Sequence, residues 1–117
     1  MGVSMYTLYG LKNCDTCKKA LKSLDAAGKQ VRFVDIRQDA DLASKVPYWL
    51  ENLDPKKVLN ARSTTWRGLS DAERASAEGE GLAGLLIENP TLIKRPIIEA
   101  DDYLSVGWNK EVELALT

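Results

Sequence analysis

Within its first thirty-six residues the chain spells out strand, helix and strand, and that order leaves few architectures open. Met5-Tyr6-Thr7-Leu8-Tyr9 is a short apolar and aromatic run closed by Gly10, the pattern of a strand buried on both faces. Cys17, Ala20, Leu21 and Leu24 then recur at helical spacing, with Lys18, Lys19 and Lys22 on the outer side and Gly28 as the stop. Val31 to Ile36 predicts a second strand. Such a βαβ unit requires parallel strands joined by a right-handed crossover.

The middle of the chain reads as helical. Leu42, Val46, Trp49, Leu50 and Leu53 share one face, and Pro47 is tolerated there if the helix starts at Ser44 or later. Asp54-Pro55 predicts a cap and first residue of a short helix through Leu59. Ser70 and Glu73 have capping-box spacing, which predicts a helix to about Ala77. Leu82, Leu85 and Leu86 mark another helix, ending at Asn89-Pro90. Ile97 to Glu99 and Tyr103 to Val106 flank Asp101-Asp102 as a hairpin would, and Asn109 caps a final helix through Leu116. The sum is an α/β domain with a mixed four-stranded sheet.

With 117 residues the chain fits a single domain, 1–117. No apolar run reaches the roughly 20 residues that span a bilayer, and Met1 to Tyr9 lack the parts of a secretion signal, so a cytoplasmic location with no membrane association is expected. The formal net charge of -1 gives no nucleic-acid signature, and direct nucleic-acid binding is not expected. Charge is uneven, however. Lys12 to Arg32 holds six basic residues and two acidic ones, and both cysteines lie inside that stretch. Trp49, Trp66 and Trp108 lack an interleaved basic run and read as core or groove-lining residues.

The chain has no histidine, which excludes Ser/His/Asp triads, Cys/His dyads and histidine metal ligands. Cysteine is then the obvious nucleophile. Cys14-Asp15-Thr16-Cys17 falls where the first strand's loop enters the first helix. A helix N-terminus offers unpaired N–H groups and a partial positive charge, which favour a thiolate at Cys14. Cys17, one turn inside on the apolar face, suits a resolving role. A structural zinc needs about four ligands and would require two chains to pool their cysteines. A disulfide across two intervening residues would remove little chain entropy. Position at a strand-to-helix junction of a βαβ unit points instead to a thioredoxin-like redox pair. In such folds a cis-proline sits beside the redox cysteine; Arg95-Pro96 is placed to supply it, which would turn Arg95 toward Cys14.

Three separated blocks carry a family resemblance: Tyr9 through Ala20, Asn60-Ala61-Arg62-Ser63-Thr64-Thr65-Trp66-Arg67, and Asn89 through Pro96. Together they resemble the arsenate reductase (ArsC) family, most closely its YffB branch, with the Spx regulators as near relatives. The resemblance implies a thioredoxin-like mixed four-stranded sheet with a helical insertion between the second and third strands, about residues 40–90. It also implies that Cys14 is the catalytic cysteine and that Arg62 and Arg95 hold an oxyanion, with Lys12, Asn13 and Pro96 completing the substrate site and Cys17 assisting catalysis. Guanidinium forks suit tetrahedral oxyanions and depress a neighbouring thiol pKa. Glutaredoxin-coupled arsenate reductases carry a third arginine after the last strand, where this chain reads Val106-Gly107-Trp108, and they lack the counterpart of Cys17. A thiol or disulfide substrate gains weight accordingly, although Arg67 could replace the missing cation.

The expected activity is that of a small thiol-dependent reductase without a bound cofactor or metal. Gly79-Glu80-Gly81 lacks the context of a dinucleotide site, so electrons must come from outside. Glutathione is the expected thiol co-substrate, glutaredoxin or thioredoxin are possible partners, and a monomer is expected. The alternative class is an Spx-like, redox-switched regulator that binds RNA polymerase. An idle anion-binding module is the blandest reading.

Overall fold

The computed structural model describes residues 5–117. These fall into two compact units: residues 5–40 with Arg95–Thr117, and Asp41–Lys94.

The first unit is built on β1 (Met5–Gly10), α1 (Asp15–Ala26), β2 (Gln30–Asp35), β3 (Ile97–Ala100), β4 (Tyr103–Val106) and a terminal helix at Lys110–Leu116. The strands lie in the order β2-β1-β3-β4. β1 and β2 are parallel, with Leu8 opposite Phe33, whereas β3 runs antiparallel to both β1 and β4. This is the mixed, thioredoxin-like sheet expected from the sequence. Burial in β1 is confined to Leu8, Tyr9 and Gly10, while Met5 is exposed, so only the half of the strand beside the cysteines is enclosed. β2 begins and ends one residue earlier than expected, yet the Ile36 amide still donates to the Gly10 carbonyl at 2.9 Å.

Leu8, Ala20, Leu24, Ile98 and Leu116 form the unit's core, with Phe33 and Trp108 among the side chains packed against it. The stripe Cys17, Ala20, Leu24 faces inward because residues three and four apart share a helix face. Gly28 ends this helical passage with a φ of +74°, where an L side chain would be strained. Ser23 Oγ donates to Glu113 Oε2 at 2.9 Å, which joins α1 to the terminal helix.

The second unit, inserted between β2 and β3, contains α2 (Leu42–Asn52), α3 (Pro55–Val58), α4 (Thr64–Arg67), α5 (Asp71–Ser76) and α6 (Gly81–Glu88), then a 3-10 turn at Pro90–Leu92. The terminal helix of the first unit is therefore α7. α2 starts at Leu42 rather than Ser44, because Asp41 accepts from the Ser44 amide and caps it there. Pro47 consequently lies inside α2, where its missing N–H leaves the Ala43 carbonyl without that helical partner. Asp54 caps α3 ahead of Pro55, and Ser70 with Glu73 closes a full capping box on α5. Val46, Trp49, Val58, Leu86, Leu92 and Ile93 are fully buried. Among the described residues no helix is long and apolar enough to cross a membrane.

Candidate active site

The loop from Leu11 to Asn13 turns the end of β1 into α1, closed by a 3.2 Å bond from the Cys14 amide to the Leu11 carbonyl. Cys14 is the helix N-cap, with an extended backbone and a half-buried side chain. Cys17 is the third residue of the helix and is fully buried. Burial is possible because β1 ends in glycine: a Cβ on Gly10 would come within 2.5 Å of Cys17 Sγ. Lys12 and Asn13 stand exposed beside Cys14.

Arg95 enters from the start of the second half of the sheet. The Arg95-Pro96 peptide is cis, Pro96 is fully buried, and its carbonyl accepts from the Gly107 amide at 2.8 Å. The sulfur of Cys14 feels several opposed effects. Burial disfavours its thiolate, but the Cys17 amide, the Cys17 thiol and the Arg95 guanidinium, the last by hydrogen bonding and by charge, together leave the thiol below its ordinary value of 9.0. Cys17 behaves in the opposite sense. Burial, reinforced by the neighbouring Cys14, outweighs a backbone hydrogen bond from Leu11 and the Arg95 charge, and the thiol is pushed up to about 12. One sulfur is poised to attack and the other to stay protonated until a neighbour needs it.

Cys14, Cys17, Arg95 and Pro96 thus come together in the first unit, with Lys12 and Asn13 on the adjoining loop. Arg62 belongs to the second unit. It follows the Asn60 turn, in which its amide donates to Asn60 Oδ1 at 3.2 Å, and its side chain lines a hollow of about 440 Å³ with Lys56, Lys57 and Lys94. Arg67 turns back on the same turn, its Nη2 donating to the Arg62 carbonyl at 3.4 Å. Trp66 lines a separate hollow of about 600 Å³, whereas Trp49 is core. Gly10 as the floor under Cys17 went unrecognised from the sequence, although a glycine closing the strand four residues before a cysteine pair was the available signal. The lysines around Arg62 went unrecognised as well.

Comparison with known proteins gives one family. The ArsC family model matches residues 9–116. An uncharacterized protein of Haemophilus influenzae is 39% identical over 107 residues, which cover 92% of this chain and 94% of that one. The global transcriptional regulator Spx of Listeria innocua is 28% identical over 110 residues, covering 92% of this chain and 82% of Spx. The solved structure of a protein called YffB matches with a TM-score of 0.82 at 31% identity, covering 95% of this chain and 97% of that one.

Proposed function

Because the chain belongs to the ArsC family, we propose that it is a thiol-dependent reductase whose nucleophile is Cys14. The observation that carries this reading is the lowered Cys14 thiol at the cap of α1, with Arg95 acting on it and a protonated Cys17 one turn away. On a disulfide or glutathione adduct, the Cys14 thiolate attacks one sulfur and displaces the other as a thiolate, leaving a mixed disulfide on Cys14. Cys17 or an external thiol then attacks that disulfide and frees the reduced substrate. Two electrons enter from an external thiol partner: glutathione, glutaredoxin or thioredoxin. On an oxyanion such as arsenate, Arg95 would neutralise charge while the Cys14 thiolate attacks arsenic and displaces one oxygen as hydroxide; two external thiols such as glutathione would then supply two electrons, leaving as a disulfide while arsenite is released. Lys12, Asn13 and Pro96 would shape the substrate's surroundings. The chain works as a cytoplasmic monomer with no resident cofactor in this reading.

Turnover of arsenate and of a model glutathione disulfide, supplied with glutathione and its reductase, tests the proposal. Wild type should turn over at least one of the two, and Cys14→Ser should fall to background. Equal background rates for both proteins would overturn it.

The likeness to Spx and the presence of Cys17 beside Cys14 favour a second reading, a redox-switched regulator that binds RNA polymerase. Capture of polymerase by the oxidised but not the reduced protein would select it.

A further inference from the structure

We propose that the second unit carries a binding pocket for a small polyanion, a molecule with two or more carboxylate or phosphate groups, formed by Lys56, Lys57, Arg62 and Lys94. The hollow they line has a volume of about 440 Å³, within the roughly 300–1,000 Å³ of small-molecule pockets. Its wall includes Leu59 and Asn60 and no acidic residue. All four cations are exposed, and no ion pair joins any of them to a carboxylate among the described residues. Asp54, the nearest acid in sequence, directs its carboxylate to the Lys56 backbone amide at 3.0 Å and so caps α3.

The cations sit on backbone that is already fixed. The Lys94 amide donates to the Val58 carbonyl and the Asn60 amide to the Leu92 carbonyl, both at 2.7 Å, around an antiparallel bridge between Leu59 and Ile93. Val58, Leu92 and Ile93 beneath are fully buried. Lys56 and Lys57 occupy the end of α3, and Arg62 is held by the Asn60 turn, whose carbonyl also accepts from Ser63 Oγ at 2.9 Å. Four residues from three stretches of chain therefore converge before any ligand arrives, which reduces the ordering cost of binding.

Like charges around one hollow repel, and their potentials add within it. A monoanion leaves most of that charge uncompensated. A polyanion answers several cations at once, with Arg62 offering a planar fork and the lysines three point charges. The three lysines have no part in the proposed thiol chemistry, and the inference holds whether or not Cys14 turns over substrate.

Calorimetric titration of the full chain at low ionic strength with pyrophosphate, citrate and, as a monovalent control, acetate tests the pocket. Pyrophosphate or citrate should bind at least tenfold more tightly than acetate. A preference for pyrophosphate assigns phosphate compounds as the ligand class and a preference for citrate assigns polycarboxylates, and either supports the pocket. Lys56→Gln with Lys57→Gln, and separately Lys94→Gln, should each weaken that binding at least tenfold while the alkylation rate of Cys14 stays at the wild-type value. Binding no tighter than acetate, or lysine variants with wild-type affinity, overturns the inference. Absent turnover with polyanion binding intact would instead count against the reductase reading alone.

Discussion

The sulfur of Cys17 stands where a side chain on Gly10 would have to be: a Cβ there would lie 2.5 Å from it. The next nearest atoms, Leu8 Cδ2 at 3.3 Å and Cys17 Cβ at 3.4 Å, are merely tight. Gly10 has no positive φ, so its requirement is space rather than backbone freedom. Overpacking a close-packed site costs about 1–3 kcal/mol, and Gly10→Ala should lower stability by that amount in urea titration. In a Cys17→Ala background the same change should cost only a fraction of it. An equal cost in both backgrounds would show that Cys17 is not what excludes the side chain.

The two thiols should separate by rate and by pH. Cys14 should be alkylated by iodoacetamide with a midpoint below 9.0, because its thiolate is favoured. Cys17, pushed up to about 12 and fully buried, should react only when the protein opens. Mass spectrometry of quenched samples reads both, and similar rates near neutrality would contradict the assignment.

A raised Cys17 pKa also has a defined effect on stability. Folded Cys17 keeps its proton to about 12 whereas the unfolded thiol loses it near 9.0, so the folded state binds more protons between those values. Stability must then fall as pH rises through that window, by up to about 1.4 kcal/mol per pH unit from this group. Cys17→Ala should flatten the alkaline limb of a stability–pH curve relative to wild type. Parallel limbs would remove Cys17 from the linkage.

Arg95→Ala removes both a hydrogen bond and a charge from the Cys14 thiolate. The alkylation midpoint should rise, and Arg95→Lys should recover part of the shift by restoring charge without the fork. Circular dichroism of each variant checks that the fold persists. An unmoved midpoint would place the guanidinium's influence elsewhere.

Ser70→Ala should loosen α5 selectively. The helix has only six residues, and Ser70 supplies an acceptor to the Glu73 amide at 3.1 Å while Glu73 Oε1 accepts from the Ser70 amide at 2.9 Å. Loss of such a cap costs about 1 kcal/mol, so amide exchange in α5 should quicken roughly fivefold. Unchanged exchange would mean that packing, not the cap, sets local stability there.

The parts of this molecule legible in the sequence are those governed by local rules. The βαβ opening, the hairpin around Asp101-Asp102 and the caps at Asp54, Ser70 and Asn109 each follow from residues within a few positions of one another. α4 escaped notice because four residues show no periodicity; its signal was Ser63, whose hydroxyl accepts from the Trp66 amide. The start of α2 at Leu42 follows from the Asp41 cap, which the helix keeps despite the cost of Pro47 in its interior. Of the candidate site, the cysteines announced themselves by position, and Arg95 by the proline that follows it. The lysine hollow could not be read in this way. Lys56-Lys57 looks like an ordinary solvated pair, and only the non-local bridge between Leu59 and Ile93 brings Lys94 to it.

The sheet order places β1 between β2 and β3, with Thr7 opposite both Arg32 and Glu99. During synthesis the first neighbour emerges early, but the other follows only after the whole helical insertion has left the ribosome. A nascent chain must therefore carry one unzipped flank of β1 until the insertion has been made. Such a flank invites pairing with other polypeptides, so chaperone demand should track the length and folding speed of the insertion rather than anything in the sheet itself.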